Sequence, residues 1–120
     1  MIIGIGIDIL EKYRIKNIKK LYNDKFSKKI LNNVEINNLK KNNTTEHLSK
    51  TFTIKESIVK AIGTGFRNGL SFKNIIINNN LLGKPFINQK NPHLKLLITI
   101  SHEKNITIAL TIIIKLFKLD

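Results

Sequence analysis

The chain opens with isoleucines that alternate with glycine around a single carboxylate, since residues 2–10 read IIGIGIDIL. β-Branched side chains favour strands, and a strand points successive side chains to opposite faces of its sheet. This pattern predicts a buried strand that ends near Asp8. Isoleucine is also the commonest apolar residue of the remaining chain. We therefore expect a sheet to carry much of the core.

Length and composition limit the class of protein. A chain of 120 residues fits one domain, which we place at residues 1–120. The absence of cysteine excludes disulfides, thiolate metal sites and a cysteine nucleophile. The N-terminal segment lacks the basic start of a signal peptide. No segment approaches the roughly 20 apolar residues of a membrane span, so we expect a soluble, cytoplasmic protein.

The formal net charge of +13 predicts attraction to polyanions such as nucleic acid, an acidic protein or a phosphorylated ligand. A second explanation needs no partner. Lysine, asparagine and isoleucine are all abundant, and a mutational bias toward A and T would raise all three together. Bias alone and bias combined with a real anionic partner both remain open at this stage.

The order of predicted elements indicates an α+β fold, with one strand, several helices and then antiparallel strands. Apolar residues at helical spacing predict a helix at 12–22 and one or two short helices within 25–40. A longer helix should run from Glu46 to Ile62, with Thr44 or Thr45 as its N-cap. Strands are predicted at 72–77, at the end of 82–87, at 94–101 and at 106–116, with a turn at 78–80.

Three charged residues are candidates for chemistry. Asp8 closes an apolar strand, although a strand-end aspartate more often caps a turn. Glu56 and Lys60 lie four residues apart and share a helix face, although such a pair is usually an exposed salt bridge. Their face lies beside the apolar stripe, so Glu56 would meet Asp8 if this helix packed on the first strand. Two carboxylates with waters and phosphate oxygens suit Mg²⁺, and a nearby lysine would balance phosphate charge.

Two further segments carry weaker signals. Gly63-Thr64-Gly65 should end the helix, and its small residues would let backbone N–H groups approach phosphate oxygens. His102 follows a strand and could act as a base near neutral pH, although a lone turn histidine is more often inert. HExxH, G-x-S-x-G and Walker A motifs are all absent, which leaves zinc proteases, hydrolases and P-loop NTPases without support.

Four segments together resemble the holo-acyl-carrier-protein synthases, a family of small 4′-phosphopantetheinyl transferases. GIGIDILEKYRI at 4–15 is similar to the family's opening signature, and FTIKESIVKAIGTG at 52–65 to its second signature. LSFKNIIINNNLLGKPFI at 70–87 resembles the following strand pair, and ISHEKNITIAL at 100–110 the closing hairpin. The resemblance spans nearly the whole chain in the family's order and spacing.

This resemblance implies an enzyme that moves the 4′-phosphopantetheine group from coenzyme A to a serine of apo-acyl carrier protein. It implies Mg²⁺ as cofactor, held by Asp8 and Glu56. Glu56 and Lys60 would be catalytic, with Lys60 near the transferred phosphate. Gly63-Thr64-Gly65 would lie beside the coenzyme A phosphates, and His102 at the edge of the site. The acceptor of the serine proton stays open between Glu56 and a water near the metal.

The resemblance also implies partners. The first helices would dock the acidic carrier protein through basic residues, namely Arg14, Lys16, Lys19, Lys20, Lys28 and Lys29. The active sites would lie at subunit interfaces of a homotrimer, and the enzyme would serve fatty acid biosynthesis in the cytoplasm. Two positions depart from the family pattern, which has arginine where this chain has Thr51 and Lys29. Thr51 would lose a contact to a coenzyme A phosphate, and Lys29 would keep the charge without the bidentate geometry, so both departures would weaken binding rather than change the reaction.

Two alternatives compete with this interpretation. The first is a non-enzymatic basic module that binds nucleic acid, which the charge supports but which lacks an RNA-binding aromatic pattern and a clear helix-turn-helix. The second is a homologue that keeps the trimer and has lost activity. The presence of Asp8, Glu56 and Lys60 argues against that loss.

Overall fold

The computed structural model describes residues 1–39, 44–63, 71–88 and 91–117. Its elements, in chain order, are β1 (Ile2–Glu11), α1 (Lys12–Tyr22), α2 (Lys25–Ile30), α3 (Asn33–Leu39), α4 (Thr44–Ile62), a 3₁₀ turn (Phe72–Asn74), β2 (Ile77–Asn79), β3 (Pro85–Ile87), β4 (Leu94–His102) and β5 (Ile106–Lys115). The predicted α+β class is confirmed, with one strand before the helices and antiparallel strands after them.

Two sheets organise the chain. The larger one has the strand order β1-β5-β4 and is antiparallel throughout, and the smaller one pairs β2 with β3. The first strand therefore lies beside the last one, with Asp8 opposite Ala109. The predicted hairpin of the last two strands is confirmed, because β4 and β5 pair from Leu94–Lys115 to His102–Thr107.

Helix α4 lies on one face of the larger sheet because two glycines of β1 allow a very close approach. A Cβ atom added at Gly4 would lie 2.3 Å from the carbonyl oxygen of Ala61. One added at Gly6 would lie 2.0 Å from the carbonyl oxygen of Ser57. Real Cβ atoms essentially never approach backbone so closely. The glycines of the opening pattern are thus the positions where the helix backbone rests on the strand.

The isoleucines of the same pattern are exposed to solvent, whereas the glycines are covered by α4. Ile3, Ile5, Ile7 and Ile9 point away from α4 and are 51–64% exposed. The prediction of a buried strand is therefore wrong for this face, because in the single chain only one face of β1 is covered. The predicted end at Asp8 is also too early, since pairing with β5 continues to Glu11.

Three other boundaries differ from the sequence prediction. Residues 72–77 were expected to be a strand, but Phe72–Asn74 form a 3₁₀ turn and the strand begins at Ile77. The predicted turn at 78–80 lies two residues later, where the N–H of Asn80 bonds the carbonyl of Lys84. Helix α4 begins at Thr44, so the two threonines predicted as caps belong to its first turn.

Two apolar clusters hold the layers together. The first fills the space between α4 and the sheets, and its buried members are Ile54, Ile58, Val59, Ile75, Ile77, Ile98 and Ala109. The second joins α1 and α2 to α4, and its buried members are Leu10, Ile15, Ile30, Leu31 and Leu48. Helix α4 takes part in both clusters, so its orientation depends on contacts on two sides. None of the described helices has the length and apolar character that a bilayer span requires.

Candidate active site

Asp8 and Lys60 meet where β1 passes under α4. Asp8 has the same strand parity as Gly4 and Gly6, so its carboxylate lies on the face that α4 covers. The Lys60 ammonium donates to Asp8 Oδ1 at 2.9 Å and to the carbonyl of Ile7 at 3.2 Å. The side chain of Asp8 is 14% exposed and that of Lys60 is 53% exposed. The pair is therefore accessible from solvent on the lysine side.

Glu56 completes this group from the preceding turn of α4. Burial raises the pKa of its carboxyl above the ordinary value, the charge of Asp8 raises that pKa further, and the charge of Lys60 lowers it. The hydrogen bond to Asp8 raises the pKa of Lys60; burial opposes that rise, while the charges of Asp8 and Glu56 add to it. The predicted meeting of Asp8, Glu56 and Lys60 is thus present. Lys60 pairs with Asp8 on the strand rather than with Glu56 on its own helix.

A cavity of about 240 Å³ opens beside the two carboxylates. Its lining includes Asp8, Glu56, Arg14, Phe26 and Phe52. Arg14 is exposed, so this part of the lining joins the carboxylates to the outer surface of α1. The aromatic rings of Phe26 and Phe52 lie 5.6 Å apart and form the apolar wall. The cavity therefore offers carboxylate oxygens, a guanidinium and an apolar surface side by side.

The donor set at this site is two carboxylates, which is what Mg²⁺ commonly takes from a protein. Mg²⁺ keeps several waters and is usually bound through one or two carboxylates together with substrate phosphates. Across the described ranges, no cluster of three or more His, Cys, Asp and Glu side chains could hold a metal by itself. Both carboxylates line one cavity, and the charge of Asp8 raises the pKa of Glu56, so two like charges lie close together where a cation would stabilise them. Asp8 and Glu56 therefore fit a Mg²⁺ ion.

The glycine at the end of α4 behaves as predicted. Gly63 has φ +82°, a conformation that glycine adopts without strain, and its N–H bonds the carbonyl of Val59 at 3.0 Å. Thr64 and Gly65, the other two residues of the predicted phosphate loop, lie outside the described residues.

His102 lies at the opposite end of α4 from Gly63. Its Nδ1 is 3.3 Å from Oε1 of Glu46. About 15 Å of helix rise separates Glu46 from Glu56. Within one chain, the structure thus brings Asp8, Glu56 and Lys60 together and places His102 in a second region.

That second region is a polar cavity of about 510 Å³. His102 shares its lining with Lys50, His47 and residues of the β2–β3 hairpin. Burial lowers the pKa of His47, Glu35 opposes that shift and Lys50 adds to it. Thr51, which replaces the arginine of the family pattern, also lines this cavity but is only 4% exposed. The nearby cation is Lys50, whose ammonium lies 3.7 Å from Glu46.

A second ion pair, which the sequence did not predict, lies beside the site. Lys55 immediately precedes Glu56, but its side chain is completely buried and lies 2.6 Å from the carboxylate of Glu35. The only sequence signal is the placement of Asn32 and Glu35, which matches a helix capping box. Nothing in the spacing links Glu35 to Lys55.

Known proteins resemble this chain over nearly all its length. The family model of the 4′-phosphopantetheinyl transferase superfamily matches residues 4–111. A holo-[acyl-carrier-protein] synthase of Ehrlichia chaffeensis is 40% identical over 119 residues, which cover 94% of this chain and 97% of that protein. A synthase of the same name from Buchnera aphidicola is 41% identical over 124 residues, covering 95% and 98%.

Solved structures agree with the sequence comparison. A crystal structure of the holo-(acyl-carrier-protein) synthase from Bacillus anthracis in complex with coenzyme A (3′,5′-ADP) has TM-score 0.84 and 35% identity, covering 94% of this chain and 96% of that chain. The synthase from Neisseria meningitidis has TM-score 0.88 and 31% identity, covering 96% and 100%. The resemblance stated from the sequence motifs is therefore confirmed.

Proposed function

This chain belongs to the 4′-phosphopantetheinyl transferase superfamily, and from that premise we propose a holo-acyl-carrier-protein synthase reaction at the Asp8–Glu56–Lys60 site. The 4′-phosphopantetheine group moves from coenzyme A to a serine hydroxyl of an apo-acyl carrier protein. The products are the holo-carrier protein and adenosine 3′,5′-bisphosphate. The observation that carries the proposal is the Lys60–Asp8 contact of 2.9 Å, at a cavity that both Asp8 and Glu56 line.

Asp8 and Glu56 are the proposed Mg²⁺ ligands. When bound, Mg²⁺ would supply positive charge to the pyrophosphate oxygens of coenzyme A. Lys60 contributes positive charge on the same side, because two of its three N–H groups bond Asp8 and Ile7 and one is left for a phosphate oxygen. These charges stabilise the transition state of phosphoryl transfer, in which negative charge spreads over the equatorial oxygens.

The serine oxygen forms a bond to the phosphorus on the pantetheine side, and the bond from that phosphorus to the bridging oxygen breaks. The bridging oxygen leaves with adenosine 3′,5′-bisphosphate. The serine proton goes to Glu56, directly or through a water. Glu56 suits this role because it lines the cavity beside Asp8.

Coenzyme A is proposed to contact Lys60, Gly63-Thr64-Gly65 and His102. The polar cavity beside His102 supports a phosphate site there, because Lys50 lines it and keeps a positive charge near the position of the missing arginine. Lysine provides a point charge without the two-pronged geometry of arginine. We therefore expect weaker coenzyme A binding than an arginine at position 51 would give.

The acidic carrier protein is proposed to dock on the basic surface of α1 and α2. Arg14 supports this placement, because it is exposed on α1 and also lines the cavity of Asp8 and Glu56. A groove lined by Ile18, Tyr22, Phe26 and two lysines continues that surface. Charge steering of this kind acts mainly on association. The KM for the carrier protein should rise with salt while kcat changes less.

A homotrimer with active sites between subunits is the proposed assembly. The uncovered face of the larger sheet supports an oligomer, because Ile5, Ile7 and Ile9 lie beside Ile112, Leu110 and Ile108 of β5. A contiguous exposed apolar surface of this kind marks an interaction site. Because His102 and Glu56 are separated along α4, a site between subunits would combine the two regions. A cytoplasmic place in fatty acid biosynthesis follows from the same proposal.

Intact-mass measurement of the carrier protein tests the reaction. Apo-acyl carrier protein, coenzyme A and Mg²⁺ are incubated with the enzyme, and the carrier should gain one phosphopantetheine. The gain should be lost with a chelator, and Glu56→Ala should lower kcat by about 10²–10³-fold. Glu103→Gln, which removes an exposed carboxylate from the β4–β5 turn, is the matched control and should react normally. No gain with a folded wild-type protein would reject the proposal, and nucleic-acid binding would be measured next.

A further inference from the structure

The Lys55 ammonium is fully satisfied inside the protein. It donates to Glu35 Oε1 at 2.6 Å, to the carbonyl of Ile30 at 2.7 Å and to the carbonyl of Phe72 at 2.7 Å. An ammonium has three N–H groups, and all three are used here. The side chain is 0% exposed. Lys55 therefore has neither a free donor nor access for a phosphate, although it adjoins Glu56.

Both carboxylate oxygens of Glu35 also accept hydrogen bonds. Its Oε2 accepts from the N–H of Ile77 at 3.1 Å, and its Oε1 accepts from the N–H of Asn32 at 3.1 Å. Asn32 Oδ1 in turn accepts from the N–H of Glu35 at 2.9 Å, which completes a capping box at the start of α3. The carboxylate is only 2% exposed.

These bonds join four separate segments to the middle of α4. They are the C-terminal end of α2, the start of α3, the 3₁₀ turn and the first residue of β2. A row of three aromatic rings extends from the 3₁₀ turn. The ring centroid of Phe72 lies 5.6 Å from that of Phe52, which lies 5.6 Å from that of Phe26. Phe52 and Phe26 line the cavity of Asp8 and Glu56. The buried pair and the cavity wall are thus parts of one packed unit.

Helix α4 is consequently fixed on two sides. Its inner side is fixed by the close approach to Gly4 and Gly6 and by a 2.7 Å bond between the hydroxyls of Ser57 and Thr111. Its other side is fixed by Lys55. A helix held on one side alone can rotate about its axis. A rotation of about 10° would move a carboxylate roughly 6 Å from the axis by about 1 Å.

We propose that Lys55, held by Glu35, is a positioning residue for the transfer reaction: it fixes the rotation of α4 and thereby the place of the Glu56 carboxylate opposite Asp8. This inference rests on the proposed function. A misplacement of about 1 Å can lower a rate by about 10²-fold. The loss should appear in kcat, because Lys55 contacts neither coenzyme A nor the carrier protein.

The test compares Lys55→Met/Glu35→Gln with the wild-type enzyme. The double variant keeps the side-chain lengths and removes both charges, so no unpaired charge is left in the interior. At a temperature where both proteins are folded, kcat should fall about 10-fold to 10²-fold. The KM for the carrier protein should change by less than about threefold. Glu35 also lines the polar cavity proposed for a coenzyme A phosphate, so the KM for coenzyme A reports that cavity as well. Glutamine keeps one acceptor oxygen where Glu35 has two, so the N–H of Ile77 or of Asn32 loses its acceptor and that amide should exchange hydrogen faster.

Thr53→Val is the matched control. Thr53 is also buried on α4, but its hydroxyl bonds only the carbonyl of Ser49 within the same helix. It should lower stability and leave kcat and the exchange of Ile77 unchanged. If the double variant does not fold, Glu35→Asp replaces it, because the shorter carboxylate keeps the charge and should give a smaller fall in kcat.

Three results would overturn the inference. They are wild-type kcat in a folded double variant, a rise in the KM for coenzyme A with kcat preserved, and an equal fall in kcat in Thr53→Val. Failure of the proposed function is distinguishable, because the wild-type enzyme would then also be inactive. In that case unchanged exchange of both the Ile77 and the Asn32 amides in the variant would still reject the positioning role.

Discussion

The Lys55–Glu35 pair and the Lys60–Asp8 pair use the same chemistry on the same helix, yet their surroundings differ completely. The two side chains of the first pair are 0% and 2% exposed, and those of the second are 53% and 14% exposed. The Lys55 ammonium has three protein acceptors, while Lys60 has two and Glu56 nearby has a raised pKa. The closed pair can only hold the structure together. The open pair still has charge available for a ligand.

The largest expected difference between the pairs is in stability. Lys55→Met leaves the Glu35 charge buried without a partner and should lower the free energy of unfolding by about 3–5 kcal/mol. Lys60→Met removes a largely exposed cation and should change it by less than about 1 kcal/mol. Urea denaturation of both variants measures this. Equal losses would mean that the contrast in burial has no energetic consequence.

A smaller loss of stability is expected from a change in β1, the strand on which α4 rests. Gly6→Ala places a methyl group against the backbone at Ser57 and Ala61, so α4 must move away from β1 at a cost of about 1–3 kcal/mol. The shift would separate Glu56 and Lys60 from Asp8 and should also reduce transfer. Gly83→Asn is the control for stability, because Gly83 has open space around it and asparagine tolerates its φ of +85°. The denaturation midpoint and the activity should both fall in Gly6→Ala, and the midpoint should stay unchanged in Gly83→Asn.

The smallest expected effect distinguishes the open site by its response to pH. Because the folded state raises the pKa of Glu56, the folded protein binds this proton more tightly than the unfolded chain. The stability that this proton contributes is complete below the unfolded pKa and is lost as the pH rises through the raised folded value.

Glu56→Gln should therefore unfold at a higher temperature than wild type at pH 7 and at about the same temperature near pH 4. Thermal unfolding across this range, without added metal, provides the measurement. A variant that is less stable than wild type at pH 7 would contradict the expected sign.

The open site was largely predictable from sequence, whereas the closed pair was not. The sequence pointed to Asp8, Glu56 and Lys60 as candidates and indicated that Glu56 would meet Asp8 if the helix packed on the first strand, which α4 does. The family and its transfer reaction, inferred from four segments, are confirmed by the relatives and structures. The roles of individual site residues, Mg²⁺ and the trimer stay predictions.

The closed pair depends on a contact that local patterns do not specify. Lys55 and Lys60 have the same side chain on the same helix, and their difference arises from the segments packed over Lys55. Those segments include the 3₁₀ turn at Phe72–Asn74, which the apolar sequence had predicted to be a strand. The carbonyl of Phe72 is one of the acceptors of Lys55, so the misassigned segment and the missed contact share one cause.

The pairing of β1 with β5 has a consequence for the time at which the protein can fold. During synthesis, residues 2–11 leave the ribosome well before residues 106–115, their strand partner. At about 5–20 residues per second, the first strand waits roughly 5–20 s for that partner. Helices α1–α4 can form in the meantime from local contacts. The larger sheet, on which α4 packs, can form only when β5 has been translated.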